Sequence, residues 1–161
     1  MDRVFIGIDP GQSGAMAVIG DGFDTAIPFS ESAYLKTLVD LDAKRSIAGT
    51  ELFAVVEHVG PMPKQGVSSM FKFGMNFGWI QGLLYAIGIP FELVRPQKWK
   101  KAFSCTSDKN TSISVAQRMF PRVPLFATPR CRKPHDGMAE ALLMAEYGRR
   151  IFSLVGRDAK R

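Results

Sequence analysis

The sequence predicts an α/β domain with a central mixed sheet of five strands flanked by helices. Three observations carry this. Apolar runs of strand length alternate with longer helical patterns along the chain. The first three runs are separated only by short turns, which leaves room for an antiparallel meander and nothing longer. A fourth run, Leu52-Phe53-Ala54-Val55-Val56, is apolar throughout, the pattern of a central strand covered on both faces.

Residues 3–8 form the first predicted strand, and Pro10, Gly11 and Gly14 supply the turn that ends it. Strands over 14–19 and 23–29 complete the meander. Ser30 is placed to cap a helix over 31–48, with Leu35, Leu38, Val39 and Leu41 facing inward and Gly49 ending it. The fourth strand, 52–57, ends in Glu57, and a Gly/Pro-rich loop follows over 60–66.

A long helix is predicted over 67–87, where Met70, Phe73, Phe77, Ile80, Leu84 and Ile87 recur at three- and four-residue steps. Phe71, Met75 and Trp79 make a second apolar stripe, and Gly74, Gly78 and Gly82 a third. Glycine costs a helix about 1 kcal/mol relative to alanine, so close approach of another backbone is expected at that stripe. A helix apolar on most sides is buried on most sides. The sheet covers one face. The rest falls to the same chain or to a second subunit, with Gly74, Phe77, Gly78, Gln81 and Gly82 as candidate interface.

Residues 90–95 give a fifth strand, and Pro96 opens a short helical turn containing Trp99. A helix over 108–120 has Asp108 near its start, and 121–134 is a loop with four prolines and four basic residues. The final helix starts near His135 or Asp136 and carries Met138, Ala141, Leu142, Ala145 and Tyr147. Residues 1–155 thus read as one domain, with 156–161 a charged tail that frays.

A chain of 161 residues, 46% of them hydrophobic, is long enough for a real core. It has no uncharged apolar run of about 18 residues, so no membrane partner is expected. The N-terminus opens on a strand pattern with Asp2 and Arg3 rather than a signal peptide. Cys105 and Cys131 lack a CxxC partner, which reads as reduced thiols in a cytoplasmic protein rather than a zinc site. The net charge is +6, but placement matters more: ten Lys or Arg residues and a single acid, Asp108, lie between Arg95 and Lys133. Such a segment suits a phosphate backbone; the bland alternative is a solubilising surface.

Against that basic background four acids stand out. Asp9 ends the first strand, Glu57 ends the fourth, and Asp136 and Glu140 open the last helix. Asp136 and Glu140 are four apart and share a helix face, where like charges repel by a few tenths of a kcal/mol. If the first and fourth strands are neighbours, all four carboxylates meet. Mg²⁺ takes hard oxygen ligands in octahedral geometry, and two such ions can activate a water and stabilise the leaving oxygen of a phosphodiester. The combination points to a metal-dependent nuclease. Taken singly, Asp136 could be an N-terminal helix residue favoured by the dipole and Glu140 a solvated one. His135 is a candidate to position a water, bind a phosphate or shuttle a proton; otherwise it is a first-turn polar residue. His58 points away from Glu57 on its strand and reads as structural. Neither a Walker P-loop nor a GxGxxG fingerprint is present, and Gly11-Gln12-Ser13-Gly14 is a weak phosphate-turn signal by itself.

In order along the chain, Gly7-Ile8-Asp9-Pro10-Gly11, Ala54-Val55-Val56-Glu57, Ser69-Met70-Phe71-Lys72-Phe73-Gly74 and His135-Asp136-Gly137-Met138-Ala139-Glu140-Ala141 resemble the motifs of RuvC-type Holliday junction resolvases, particularly the smaller phage-borne relatives. The resemblance covers roughly residues 3–150. It implies a single ribonuclease H-like nuclease domain in a cytoplasmic protein of a bacterium or a phage-infected host. It also implies a homodimer that binds four-way or branched DNA and makes paired symmetric nicks, using Mg²⁺ or Mn²⁺, two ions per site. By position Asp9, Glu57, Asp136 and Glu140 are the implied metal ligands and the 67–87 helix the implied dimer helix. Lys100 and Lys109 fall near the family's DNA-facing basic residues, and Lys64, Lys72, Lys98, Lys101, Arg130, Arg132 and Lys133 are further candidate DNA contacts. The chain departs from the pattern twice. Three residues before Glu140 stands Gly137, so His135 and Asp136 both compete for the fourth ligand position. The stacking aromatic after the second acid is replaced by Pro61 and Met62, of which Met62 can wedge between bases.

Three other readings compete. One is a ribonuclease H-like nuclease acting on other branched DNA or structured RNA. Another is a non-catalytic branched-DNA-binding module, in which the acids are structural. The last, a phosphotransferase of the sugar kinase and actin type, needs two duplicated domains that 161 residues cannot hold.

Overall fold

Side-chain alternation along five strands sorts the apolar residues into two cores, one on each face of a sheet. The computed structural model describes residues 2–20, 22–60 and 66–158, with side chains through Phe152. The strands are β1 (Arg3–Asp9), β2 (Ala15–Gly20), β3 (Phe23–Pro28), β4 (Glu51–Glu57) and β5 (Phe91–Val94). The helices are α1 (Glu31–Ala48), α2 (Val67–Ile87), α3 (Pro96–Ala102), α4 (Lys109–Met119) and α5 (Asp136–Asp158). Each expected element is present within a residue or two; α5 continues through Asp158, past the expected start of the tail.

The sheet order is β3-β2-β1-β4-β5. β1 to β3 form the antiparallel meander, and β4 pairs parallel with both β1 and β5. Parallel neighbours need a crossover, which α1 provides between β3 and β4 and α2 between β4 and β5. Val4, Ile6, Ile8, Ala54 and Val56 face a core with Tyr34 and Leu38 of α1 and Ile80 and Leu84 of α2. Phe5, Ala17 and Val55 face the other core, with Trp99 and the buried side of α5. The result is a helix–sheet–helix sandwich.

Residue 7 sets the spacing of the second layer. A Cβ there would lie 2.0 Å from Ala141 O and 2.5 Å from Ala145 N. Glycine therefore lets α5 press backbone against backbone on β1. Leu142, Leu143, Met144 and Ala145 are fully buried beneath it.

One expectation fails in the α1–α2 layer. Leu35 and Val39 do not face inward but are 46% and 49% exposed. The buried stripe is Tyr34, Leu38 and Leu41 instead. A helix touching its neighbours along one narrow line buries one i, i+4, i+7 row, and Tyr34 starts that row one residue earlier. In α2 the glycine stripe meets nothing among the described residues: a Cβ on Gly74, Gly78 or Gly82 would find none of their atoms within 4 Å. Ile80 and Leu84 are its buried residues, while Val67, Phe71, Met75 and Tyr85 are 60% to 86% exposed. Among the described residues, then, α2 is not wholly intrachain core.

Cys105 and Cys131 are both free thiols. Among the described residues no helix is long and apolar enough to cross a membrane. The 121–134 loop is tied down by buried Val123 and Leu125 and by the His135 N–H donating to Leu125 O at 2.7 Å.

Candidate active site

Three elements deliver the four acids to one end of the sheet. The β1–β4 register runs Ile8 opposite Val56, so Asp9 and Glu57 come next on neighbouring strands. Alternation puts both on the α5 side, with Phe5, Gly7 and Val55. Glu57 is 7% exposed. α5 then brings Asp136 and Glu140 on its first two turns. Its start is pressed onto the β1–β2 turn, because a Cβ at Gly137 would lie 2.5 Å from Ser13 O. The glycine that departs from the expected acidic spacing thus has a packing role.

Each acid has a partner in the chain. Asp9 Oδ1 accepts the Gly11 N–H at 3.0 Å. Glu57 Oε1 accepts the Trp99 indole N–H at 3.0 Å. Glu140 Oε1 lies 2.9 Å from Lys100 Nζ, an ion pair in which the contact is not aligned as a hydrogen bond, so this buried oxygen has none. Asp136 is paired with Lys109. His135 Nδ1 accepts the Met138 N–H at 3.2 Å, so His135 caps the first turn of α5 through its side chain and leaves Nε2 to carry the proton.

The electrostatics are those of crowded, buried carboxylates. Burial pushes the Asp9 carboxyl above the ordinary range; the Gly11 hydrogen bond works against that, and the charges of Glu140 and Asp136 add to it. Burial, then the charge of Asp9, pushes Glu57 up to about 7, against the Trp99 hydrogen bond. Burial also opposes ionisation of Asp136, but the Lys109 ammonium overcomes it and holds this carboxyl low. Behind Asp9, the Tyr34 hydroxyl is buried without a hydrogen-bond partner, and burial and the Asp9 charge push it up.

The remaining candidates divide. Lys109 stands at the site's mouth with its side chain 66% exposed, whereas Lys100 is turned inward onto Glu140 and over the Trp99 ring. Lys72, Lys98, Lys101, Arg130, Arg132 and Lys133 are exposed. Lys98 contacts Glu92 at 3.5 Å. Met62 and Lys64 lie outside the described residues. His58 is exposed and stacks parallel on Phe77, 5.9 Å between ring centres. Sequence reasoning missed Trp99 as a site residue. Its signal was faint: an indole next to Lys100 in a helix opened by Pro96.

No family model and no curated protein matches the chain. Solved structures do. A Thermus thermophilus RuvC structure aligns over 95% of this chain and 96% of its own, with 17% identity and a TM-score of 0.55. T. thermophilus RuvC in complex with a Holliday junction substrate aligns over 89% and 90%, with 15% identity and a TM-score of 0.51. The fold is RuvC-type, of the ribonuclease H-like class.

On this RuvC-type frame the acids fit a divalent cation by chemistry. They are hard oxygen donors. Glu140 Oε1 is buried and lacks a hydrogen bond, and the charges of neighbouring acids push the carboxyls of Asp9 and Glu57 further up. A cation relieves both conditions. As they stand, however, no three Asp, Glu, His or Cys side chains among the described residues converge tightly enough to hold one. Lys100 and Lys109 supply the positive charge.

Proposed function

We propose that this chain is a metal-dependent, structure-selective DNA endonuclease that resolves four-way junctions by paired symmetric nicks. The observation that carries the reading is that β1, β4 and the start of α5 bring Asp9, Glu57, Asp136 and Glu140 to the same end of the sheet, with Lys100 and Lys109 beside them. Asp9, Glu57 and Glu140, with Asp136 as the fourth, would hold Mg²⁺ or Mn²⁺. When bound, the ions supply a nucleophilic water near neutral pH and charge stabilisation at the leaving oxygen.

The chain's own groups do the rest. Lys109, at the mouth, is the ammonium best placed to hold a phosphate beside the acids. The exposed cations of α3 and of the 121–134 loop provide sequence-independent grip on the backbone. His135, with Nδ1 committed to its cap, offers Nε2–H as a donor. Paired nicks need two sites, and the exposed apolar and glycine stripes of α2 supply a surface for a second copy. The junction substrate is proposed because the RuvC structure of the same fold holds a Holliday junction.

The lysine-paired carboxylates favour one alternative, a module that binds branched DNA without cutting it. Incubation of a synthetic four-way junction and of linear duplex of the same sequence, with Mg²⁺ and with chelator, separates the readings. Paired symmetric nicks only in the junction and only with metal are expected. Tight binding with no cut under any divalent cation would favour the module. Equal cutting of the linear duplex would remove the junction from the proposal.

A further inference from the structure

Trp99 is fully buried, and its indole N–H donates to Glu57 Oε1 at 3.0 Å, a hydrogen bond between side chains of β5-following α3 and β4. Its neighbour Lys100 reaches Glu140 Oε1 at 2.9 Å. One turn of α3 therefore addresses acids on two different elements. The helix itself is fixed: Pro96 opens it, and Trp99 packs in the core with Val94, Phe103 and the inner face of α5. A buried ring of this size has no room to change rotamer. A glutamate has three side-chain torsions, so a donor on a fixed ring selects one orientation of its carboxylate.

We propose that Trp99 is a positioning residue: its indole N–H locks one oxygen of Glu57 and so presents the other to a divalent cation. The inference rests on the metal reading above. Hydrogen bonds from the next layer of side chains orient metal-binding carboxylates, and losing one typically costs ten- to a hundredfold in metal affinity or activity. The plain alternative is that a buried indole needs an acceptor and Glu57 merely supplies it. That alternative predicts an effect on stability alone.

The test is Mn²⁺ binding, read by electron paramagnetic resonance or calorimetry without DNA, on wild type, Trp99→Phe, Glu57→Gln and the double variant. Phenylalanine keeps an apolar ring and loses the donor. The expected result is Mn²⁺ affinity about tenfold weaker in Trp99→Phe, with no further loss when it is added to Glu57→Gln. A lower melting temperature with unchanged Mn²⁺ affinity overturns the proposal, as do additive losses in the double variant. Wild-type protein provides a second readout that needs no substitution. In a ¹⁵N-resolved NMR spectrum the Trp99 indole N–H resonance should shift on Mg²⁺ titration; an unmoved resonance in protein that binds Mg²⁺ overturns the proposal. Wild type that binds neither cation overturns the metal reading and this inference together.

Discussion

Glu57 concentrates the electrostatic tension of the site. Its pKa stands at about 7 in the folded protein against an ordinary 4.5. Between those values the folded chain holds a proton that the unfolded chain has released, so stability falls as pH rises through the window. At pH 8, without a cation, the penalty is about 3 kcal/mol, from roughly 1.4 kcal/mol per pKa unit. Asp9, shifted the same way, adds to it. The low pKa of Asp136 acts only in more acidic solution and does not oppose this trend. Thermal melts in chelator should therefore show higher stability at pH 5 than at pH 8. Glu57→Gln should remove much of that slope and melt above wild type at pH 8. A wild-type melting point independent of pH from 5 to 8 would refute the buried-charge account. For Asp9→Asn the expectation is loss of cleavage with junction binding intact or tighter, because negative charge leaves the DNA face. Binding lost together with cleavage, in gel-shift and nicking assays, would make Asp9 structural.

At the scale of elements, the contact between α5 and β1 decides where two of the four acids stand. Gly7→Ala places a methyl 2.0 Å from Ala141 O, a backbone atom that cannot step aside alone. Overpacking of this kind costs about 1–3 kcal/mol or more, which for a chain of this size lowers the melting temperature by several degrees. It should also reduce metal-dependent cleavage by more than the stability loss explains, since α5 carries Asp136 and Glu140. Unchanged melting and nicking in Gly7→Ala would contradict the backbone-on-backbone packing. α2 behaves in the opposite sense. Because Gly78 faces open space among the described residues, Gly78→Leu meets no clash with them. It should raise helix stability by somewhat under 1 kcal/mol. If α2 is the dimer helix, the same change weakens association. Sedimentation then reports a stable monomer; an intact dimer would remove the glycine stripe from the interface.

For the whole molecule, the charge distribution is what the proposed DNA binding would depend on. The exposed cations on α3, α4 and the 121–134 loop lie on the elements that surround the acids or lead into them. Binding that depends on them should weaken steeply with salt, by a slope near 0.9 for each phosphate neutralised. Lys101→Met should weaken binding to all junction sequences alike and lower that slope by about 1. A junction affinity insensitive to salt would place recognition elsewhere.

Much of this was legible along the chain. Alternation and apolar runs fixed the five strands, Ser30 and Gly49 marked the ends of α1, and Asp9, Glu57, Asp136 and Glu140 stood out as acids at element ends in a basic chain. Period and punctuation are local properties, carried by neighbours in sequence. Contacts between distant segments are not. Only the tertiary structure decided that Tyr34 rather than Leu35 and Val39 faces the core, since a helix's buried row depends on what it packs against. It also decided that Gly137 stands where an acid was expected because the β1–β2 turn leaves no space for a side chain. The same holds for Trp99 on Glu57 and Lys100 on Glu140, 42 residues apart in the first case and joined only by folding. The sequence by itself determined which carboxylates the protein carries to the end of its sheet; the packing of α3 and α5 determined what each carboxylate meets there.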